Sequence, residues 1–419
     1  SNNVLYNYGR NPEDNPTQNS VQSMKFAIQG NGYNIESREE LPGISVDKAK
    51  QSLTITDATM IGFNSAIINN GGNVTLTRVD FHDNESDTDG SAVKNNSGTV
   101  TLTGDQREHI LFNNNRSNYY GGAISNSGTL KVNYVDFGAE TDLPHGSYSN
   151  IGMYGGAIYN NGTATISNSL FEENIADEFG GAICNVSSLN LATVTMIGNM
   201  ANYGGAIYNN VSNTKYNLTT NALEFTNNMA RVNGGAIYTK TNYTDTSSVL
   251  RGNTAELGGG IYVESDSAKP VVKLTGTKFY GNSANANGGA IYNKNATLTL
   301  SSAEFGGIAR KDMGNFAING GALYNEATAT LTSNKYYLNT AAENGGAIYN
   351  MGVLNITTSE FGAEDLGNTA INGGAIFNVA KLTVASTSFS NNTSVYGSAI
   401  NNNYVDANTS LTVNAKTII

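Results

Sequence analysis

The chain has 419 residues, including 47 Gly, 5 Pro and one Cys, and only 14% of its residues are charged. A typical globular chain has about 25% charged residues, and low charge with abundant Gly is typical of many short strands joined by tight turns. The net charge of −11 disfavours nucleic acid and anionic membrane surfaces, because both bind basic patches. The single Cys184 excludes an intramolecular disulfide, and no apolar run of about 18 residues predicts a membrane-spanning helix.

The first fifty residues differ from the rest of the chain. Residues 1–25 contain Pro12 and Pro16 and no repeat, whereas Phe26-Ala27-Ile28 begins a strand-like segment. The charged stretch over residues 36–50 could cover the open end of a stacked core, since an exposed terminal strand invites edge pairing. We therefore predict an N-terminal cap and opening coil over residues 1–50, and a repeat domain over residues 51–419. That repeat domain reads as a fragment of a longer secreted chain.

The repeat domain carries a Gly-Gly-Ala-Ile motif at spacings of 24 to 34 residues. Paired glycines allow a turn with positive φ or a close approach of two backbones. The motif begins at Gly121, Gly155, Gly180, Gly204, Gly234, Gly288, Gly345 and Gly373, with variants beginning at Asn64, Gly90, Gly258, Gly320 and Gly397. These thirteen copies predict a solenoid in which each repeat forms one coil.

A second motif, Phe-x-x-Asn, and an alternating Leu/Thr segment complete each repeat. Phe-x-x-Asn begins at Phe81, Phe112, Phe171, Phe225, Phe279 and Phe389, with Met196, Leu250 and Tyr336 as substituted versions. Strand alternation places Leu76, Leu102, Ile166, Leu300 and Leu331 inward and Thr75, Thr101, Thr165, Thr299 and Thr330 outward. In the Gly-Gly motif, Ile should point inward and the flanking Ala and Tyr outward. The Phe of Phe-x-x-Asn should point inward and form a stack along the solenoid. Three short strands per repeat, stacked coil on coil, predict an all-β, right-handed parallel β-helix with about thirteen coils.

Three repeats replace Phe-x-x-Asn by Phe-Gly followed by a longer segment, after Phe137, Phe305 and Phe361. The longest segment, residues 139–154, contains Pro144 and His145. Insertions at one point of a solenoid project from one corner and can form a binding surface. Tolerated insertions without a role are an equally good interpretation.

The residue after Gly-Gly-Ala-Ile forms a column of tyrosines that is the main candidate binding site. If the rings point outward, they form an aromatic ladder that can stack on sugars or fill pockets of a partner. The alternative, which we favour, is that stacked Tyr residues simply stabilise neighbouring strands. The candidate residues are Tyr159, Tyr208, Tyr238, Tyr262, Tyr292, Tyr324 and Tyr349. Cys184 occupies the same position in one repeat, where it reads as a small filler.

Candidate catalytic and metal-binding residues are few. The acidic run Asp83, Glu85, Asp87 and Asp89 superficially resembles an oxygen-rich calcium loop, but a solvated acidic turn is the better interpretation. We therefore predict no cofactor, with calcium as the remaining alternative. His82, His109 and His145 lie in different repeats, and no nucleophile, zinc or phosphate motif is present. The Thr-x-Thr segments superficially resemble an ice-binding face, but Thr is common on exposed strands.

Gly-Gly-Ala-Ile paired with Phe-x-x-Asn resembles the passenger region of chlamydial polymorphic outer membrane proteins, over nearly all of residues 53–419. It also resembles the wider class of autotransporter passengers with pectate-lyase-like β-helices. The resemblance implies a virulence-associated surface adhesin, secreted and anchored at the outer membrane in the full-length protein, that binds host-cell receptors or glycans without catalysis. No nucleic-acid partner and no membrane insertion by this region are expected. Because β-helices also include polysaccharide lyases and glycoside hydrolases, a carbohydrate-active enzyme is the alternative.

Overall fold

The computed structural model describes residues 24–37, 41–138, 148–211, 217–265, 269–307, 313–405, 409–414 and 417–418. It is a parallel β-solenoid of about fourteen coils, close to the thirteen expected from the repeats. Each strand pairs in parallel with the equivalent strand of the next coil, as Ile183–Asn185 does with Ile207–Asn209. The prediction of an all-β parallel solenoid is therefore confirmed.

A typical coil contributes four strands, not the three that we expected, and these form four columns along the solenoid. The Ile column contains the end of the Gly-Gly-Ala-Ile motif, with the strands Ile44–Val46, Ile124–Asn126, Ile158–Asn160, Ile183–Asn185, Ile207–Asn209, Ile237–Thr239, Ile261–Val263, Ile291–Asn293, Leu323–Asn325, Ile348–Asn350, Ile376–Asn378 and Ile400–Asn402. The Leu column contains the alternating segments, Thr129–Asn133, Leu218–Asn221, Tyr243–Thr246, Val271–Thr275, Thr297–Ser301, Thr328–Thr332, Val353–Thr357, Lys381–Ala385 and Ser410–Val413.

The Phe column follows, with the strands Ile110–Asn113, Val135–Phe137, Glu224–Thr226, Val249–Arg251, Lys278–Tyr280, Glu304–Phe305, Lys335–Tyr336, Glu360–Phe361 and Ser388–Phe389. In the early coils, longer strands run through two or more of these columns: Met24–Glu36, Gln51–Ile61, Ile67–His82, Val93–Thr103, Thr163–Glu172 and Ser188–Ile197. The unexpected Ala column forms a separate sheet of Glu85–Ser86, Arg116–Ser117, Ile151–Tyr154, Ile175–Phe179, Met200–Tyr203, Met229–Asn233, Thr254–Leu257, Ser283–Asn287, Phe316–Asn319 and Thr340–Asn344.

The core is filled as the alternation of apolar residues predicts. The five predicted inward residues of the Leu column are buried, and the five predicted outward threonines are half-buried or exposed. In the Phe column, Phe137 and Phe171 stack with ring centroids 4.6 Å apart. The Ala of the Gly-Gly-Ala-Ile motif, however, is buried in this core in every full copy, so its predicted outward position is wrong.

Both expected roles of the paired glycines occur at once in the Gly-Gly turn. Gly204 has φ of 65°, a conformation that is strained for residues with a Cβ atom. A Cβ atom on Gly205 would lie 2.2 Å from the carbonyl oxygen of Gly235 in the next coil. The first glycine therefore permits the turn and the second permits close stacking of the coils.

The Asn of Phe-x-x-Asn forms a buried ladder along the corner between the Phe and Ala columns. Each side-chain amide donates a hydrogen bond of 2.8 to 3.0 Å to the amide oxygen of the next Asn, without a break from Asn84 to Asn392. The Phe-Gly repeats do not interrupt it, because Asn150, Asn315 and Asn368 take the ladder position after the inserted residues. The insertions therefore leave the same corner, as expected, although residues 139–147 (with Pro144 and His145) and 308–312 lie outside the described residues.

At the N-terminal end, Met24–Glu36 pairs with Gln51–Ile61, and Ile44–Val46 pairs with the start of Ile67–His82. Residues 24–36 and 44–46 thus contribute strands to the solenoid itself. Residues 1–23 and 38–40 of the predicted cap lie outside the described residues, so the division at residue 50 stays a prediction.

Candidate functional site

The predicted tyrosine column exists along the outer side of the Ile column, and its rings form a continuous stack from Tyr208 onward. Cys184 separates Tyr159 from this stack. Parallel pairing in register places Tyr208 beside Tyr238, and Tyr238 beside Tyr262. Ring centroids of neighbours are 5.2 Å apart at Tyr208–Tyr238 and 4.8 Å apart at Tyr324–Tyr349. This spacing follows from the distance between paired strands, which is about 4.8 Å. The stack continues through Tyr292 to Phe377.

The tyrosines lie outside the main core, as expected, but the interpretation of the column as a ladder of solvent-exposed rings is wrong for most of its length. Tyr208, Tyr238, Tyr262, Tyr292 and Tyr324 are buried, and only Tyr159 and Tyr349 are half-buried. The rings are covered by their neighbours in the stack. Four residues that end Ala-column strands also pack against the cluster: Tyr154, Phe179, Tyr203 and Leu257. Cys184 packs in the same cluster as a buried filler. The ring faces in the middle of the column are therefore closed to a ligand.

The tyrosine hydroxyls are also engaged. Tyr238 and Tyr262 both donate to Glu264, and Tyr292 donates to Glu326. Lys294 approaches Glu264 with its ammonium 2.9 Å from the carboxylate. Burial raises the pKa of Tyr238, Tyr262 and Tyr292 well above the ordinary tyrosine value, and the neighbouring carboxylates raise it further. The tyrosine hydroxyls of the central column are therefore protonated at neutral pH. We call the tyrosine column, together with the aromatic rings that cover it, the aromatic seam.

Glu264 is the charged centre of this seam. Its burial alone would raise its pKa, but hydrogen bonds from Tyr238, Lys294 and Tyr262 outweigh this effect and hold the pKa below the usual value. The side chain is 18% exposed, and Lys240 lies 3.9 Å away on its other side. Glu264 therefore remains ionised at neutral pH and links adjacent coils.

The aromatic seam becomes accessible at its N-terminal end. In the two coils before Tyr159, the column position is taken by Ser125 and then by Lys94. Tyr120, the residue before the Gly-Gly turn, lies over Tyr159 with ring centroids 4.4 Å apart and is 38% exposed. Its neighbour Tyr119 is 50% exposed. Burial raises the pKa of Tyr159 to about 12, so its hydroxyl stays protonated at neutral pH.

The acidic run does not converge on one point. Asp83 accepts a hydrogen bond from Asn114 and lies 3.0 Å from His82, whereas Asp89 forms an ion pair with Lys94 at 3.2 Å. Within the described residues, no group of three or more His, Cys, Asp or Glu side chains is arranged to hold a metal ion. His109 pairs with Asp136 at 2.8 Å in the adjacent coil.

The outer face of the Leu column contains a shallow groove of about 220 Å³. It is lined by polar side chains that include Thr101, Lys131, Asn133, Thr165 and Ser167, and no carboxylate lines it. Glycoside hydrolases generally use a pair of carboxylates, so this groove lacks their usual catalytic groups. The Thr-x-Thr columns are aligned, but Lys131 and Lys273 interrupt them.

One polar cluster escaped the sequence analysis because it lies inside the core. Asp245 takes an inward Leu-column position beside Leu274 and accepts hydrogen bonds of 2.5 Å from the hydroxyls of Thr220, Ser248 and Thr277. Tyr243 completes the network through Thr220, at 3.0 Å. The sequence feature that could have revealed this cluster is an Asp at a position that the strand alternation assigns to the core. Since Asp245 is fully buried, its carboxylate is satisfied internally and does not meet a ligand at the surface.

No helix among the described residues is long and apolar enough to cross a membrane. No curated protein and no solved structure matches the chain. Four segments do match the Chlamydia polymorphic membrane protein repeat: residues 109–127, 168–186, 222–240 and 276–294. Each segment spans one Phe-x-x-Asn motif and the Gly-Gly-Ala-Ile motif that follows it. The chain therefore carries the repeat of the chlamydial polymorphic membrane proteins, as its two paired motifs predict, on a parallel β-solenoid.

Proposed function

We propose that this chain is the passenger region of a bacterial surface adhesin, which binds a host-cell receptor or glycan without chemically changing it. The observation that carries the proposal is the presence of four repeats of a surface-protein family within one continuous solenoid. The family also supports a cell-surface location in general terms. Anchoring at the outer membrane and a role in virulence are parts of the proposal.

The architecture suits attachment. Fourteen coils stacked about 4.8 Å apart extend over roughly 65 Å, so equivalent side chains recur along a long surface. Several weak contacts along such a surface act together, because each contact raises the effective concentration of the next. Adhesion by this mechanism needs no deep pocket.

The arrangement of charged groups also favours binding over turnover. The groove on the Leu column lacks carboxylates, and Asp245, the buried carboxylate of the core, is enclosed by hydroxyl donors. Two carboxylates of the acidic run, Asp83 and Asp89, are held by separate partners, Asn114 and Lys94. These features support the adhesin proposal over a polysaccharide-active enzyme.

The test is a binding and turnover measurement on the purified chain. Beads coated with the folded chain should attach to cultured epithelial cells in a saturable manner, and free chain should compete. The matched control is the Gly205→Val variant, because a Cβ at this position collides with the next coil and disrupts the local stacking. Attachment equal to that of uncoated beads would contradict the proposal. Release of saccharide products from a polysaccharide panel would replace it with an enzymatic function.

A further inference from the structure

The N-terminal end of the aromatic seam is built differently from the rest. Along the middle of the seam, each tyrosine is covered by a ring from the preceding coil and one from the following coil. At the end, Tyr120 contacts Tyr159 and Tyr154, which both belong to the following coil. On its other side the strand register places Asp89, not an aromatic residue. One side of the Tyr120 ring therefore borders polar groups and solvent.

A second position in the seam has the same arrangement, but there the equivalent ring also has an aromatic neighbour in the preceding coil. Cys184, like Ser125, is a small residue in the tyrosine column, and Phe179 of the same coil lies over Tyr208 with centroids 4.3 Å apart. There, however, Tyr154 of the preceding coil stacks on Phe179 at 5.5 Å. The Phe179 ring therefore has aromatic neighbours in both adjacent coils, whereas the Tyr120 ring has them only in the following coil.

Polar groups of defined charge border the open ring. Asp89 and Lys94 form an ion pair of 3.2 Å, and each of the two side chains is 25% exposed. Asp89 lies beside Tyr120 in strand register, and Lys94 lies beside Ser125. The pair holds one hydrogen-bond acceptor and one donor in fixed positions next to an aromatic surface.

This combination matches the chemistry of a sugar ring. The C–H face of a hexose packs on an aromatic ring, while its hydroxyl groups need both donors and acceptors at the edge of that ring. The carboxylate of Asp89 and the net charge of −11 disfavour sulfated or sialylated sugars, which are anionic. A protein partner would need an apolar pocket that becomes fully desolvated, whereas this surface is shallow and bordered by charges.

We infer that Tyr120, Asp89 and Lys94 form a binding site for a neutral saccharide ring, such as the terminal residue of a cell-surface glycan. This inference rests on the proposed adhesin function and adds the ligand class and the place of contact. It also assigns the exposed end of the seam, in place of the whole tyrosine column, to recognition.

The first experiment measures binding of free sugars by saturation-transfer NMR. The probes are the methyl glycosides of galactose, glucose, mannose, N-acetylglucosamine and N-acetylgalactosamine, with sialic acid as the anionic comparison. We expect at least one neutral glycoside to bind and sialic acid to bind more weakly. Tyr120→Ala should lower the affinity at least about tenfold, Tyr120→Phe should preserve it, and Lys94→Gln should lower it.

The chain offers a matched control at the opposite end of the solenoid. Tyr396 takes the same position before a Gly-Gly-type turn and is 62% exposed, but the tyrosine-column position of its coil is Asn401. Tyr396→Ala should leave sugar binding unchanged. Equal losses in Tyr120→Ala and Tyr396→Ala, or no binding of any neutral glycoside, would overturn the inference. Circular dichroism of each variant checks that the solenoid is intact. If Tyr120→Ala fails to fold, Lys94→Gln keeps the test decisive, because unchanged affinity in that variant would overturn the site.

Cell binding separates this inference from the adhesin function on which it rests. If the unmodified chain does not attach to cells, the adhesin function fails. If the chain attaches and Tyr120→Ala attaches equally well, the adhesin function stands and the saccharide site is wrong. If Tyr120→Ala reduces attachment but removal of cell-surface glycans by glycosidases does not, the site binds a protein, and the saccharide inference is overturned.

Discussion

The buried asparagine ladder should be one of the most sensitive parts of the molecule, and Asn228 is the residue that tests it best. Its side-chain amide donates to the carbonyl oxygen of Met196 at 2.9 Å and to Asn253 at 3.0 Å. Its amide oxygen accepts from the backbone N–H and the side-chain amide of Asn199, at 3.0 and 2.9 Å. Asn228→Ala removes all four hydrogen bonds. The four partner atoms, two on Asn199 and one each on Met196 and Asn253, then stay buried without the bond that Asn228 supplied.

The magnitude follows from these four contacts. A typical intramolecular hydrogen bond contributes about 1 kcal/mol net, and a buried group left unsatisfied costs more. We therefore expect Asn228→Ala to lower the free energy of unfolding by about 4 kcal/mol. Such a loss is exceptional for a single substitution that removes no apolar surface.

The assay is urea denaturation followed by far-UV circular dichroism, with the midpoint and slope compared among variants. The matched control is Asn190→Ala, because Asn190 is an exposed, outward residue of the Leu column. The control should change stability by less than about 0.5 kcal/mol. Equal unfolding midpoints for Asn228→Ala and Asn190→Ala would refute the claim that the ladder stabilises the stacking of coils.

Other substitutions test separate parts of the account. Phe171→Ala should cost about 3–5 kcal/mol in urea denaturation, because it opens a cavity in the stacked Phe column. Tyr262→Ala should lower the free energy of unfolding by a similar amount, since its ring is buried. A loss below about 1 kcal/mol would contradict the claim that the rings of the aromatic seam are packed and closed to solvent. Because the pKa of Glu264 is lowered in the folded chain, its contribution to stability should be present above the unfolded pKa near 4.5 and disappear as pH falls through the folded value. Glu264→Gln should remove that part of the pH dependence, and an unchanged pH profile of the melting temperature would argue against it. Chelation of calcium should leave the melting temperature unchanged, whereas a drop that Asp87→Asn abolishes would establish a calcium site.

The sequence was most informative where one residue type recurs at one position. Leu76 and Thr75 could be assigned to opposite faces because strand side chains alternate, and the Phe stack followed from six copies of one motif. The Ala column was missed because its strands carry small residues, such as Ala255 and Ala284, between polar ones. That pattern shows little contrast between apolar and polar residues, so it does not stand out as an amphipathic strand.

Burial of the tyrosines could not be read from their own repeats. Tyr238 has polar neighbours along the chain after its Gly-Gly-Ala-Ile motif, but its cover comes from rings in adjacent coils and from Tyr203 across the turn. Likewise, the exposure of the Tyr120 ring depends on the small Ser125 and on Asp89, which lies in another coil. Contacts between coils decide exposure in a solenoid, and these depend on register.

Attachment to host cells is tested most directly by a competition experiment with bacteria that are made to display this protein on their surface. Host cells are incubated with increasing amounts of the purified chain, and bacterial attachment is then counted. The folded chain should reduce attachment in a saturable way, whereas the heat-unfolded chain should not. Attachment that is unchanged at saturating concentrations of the folded chain would contradict this expectation.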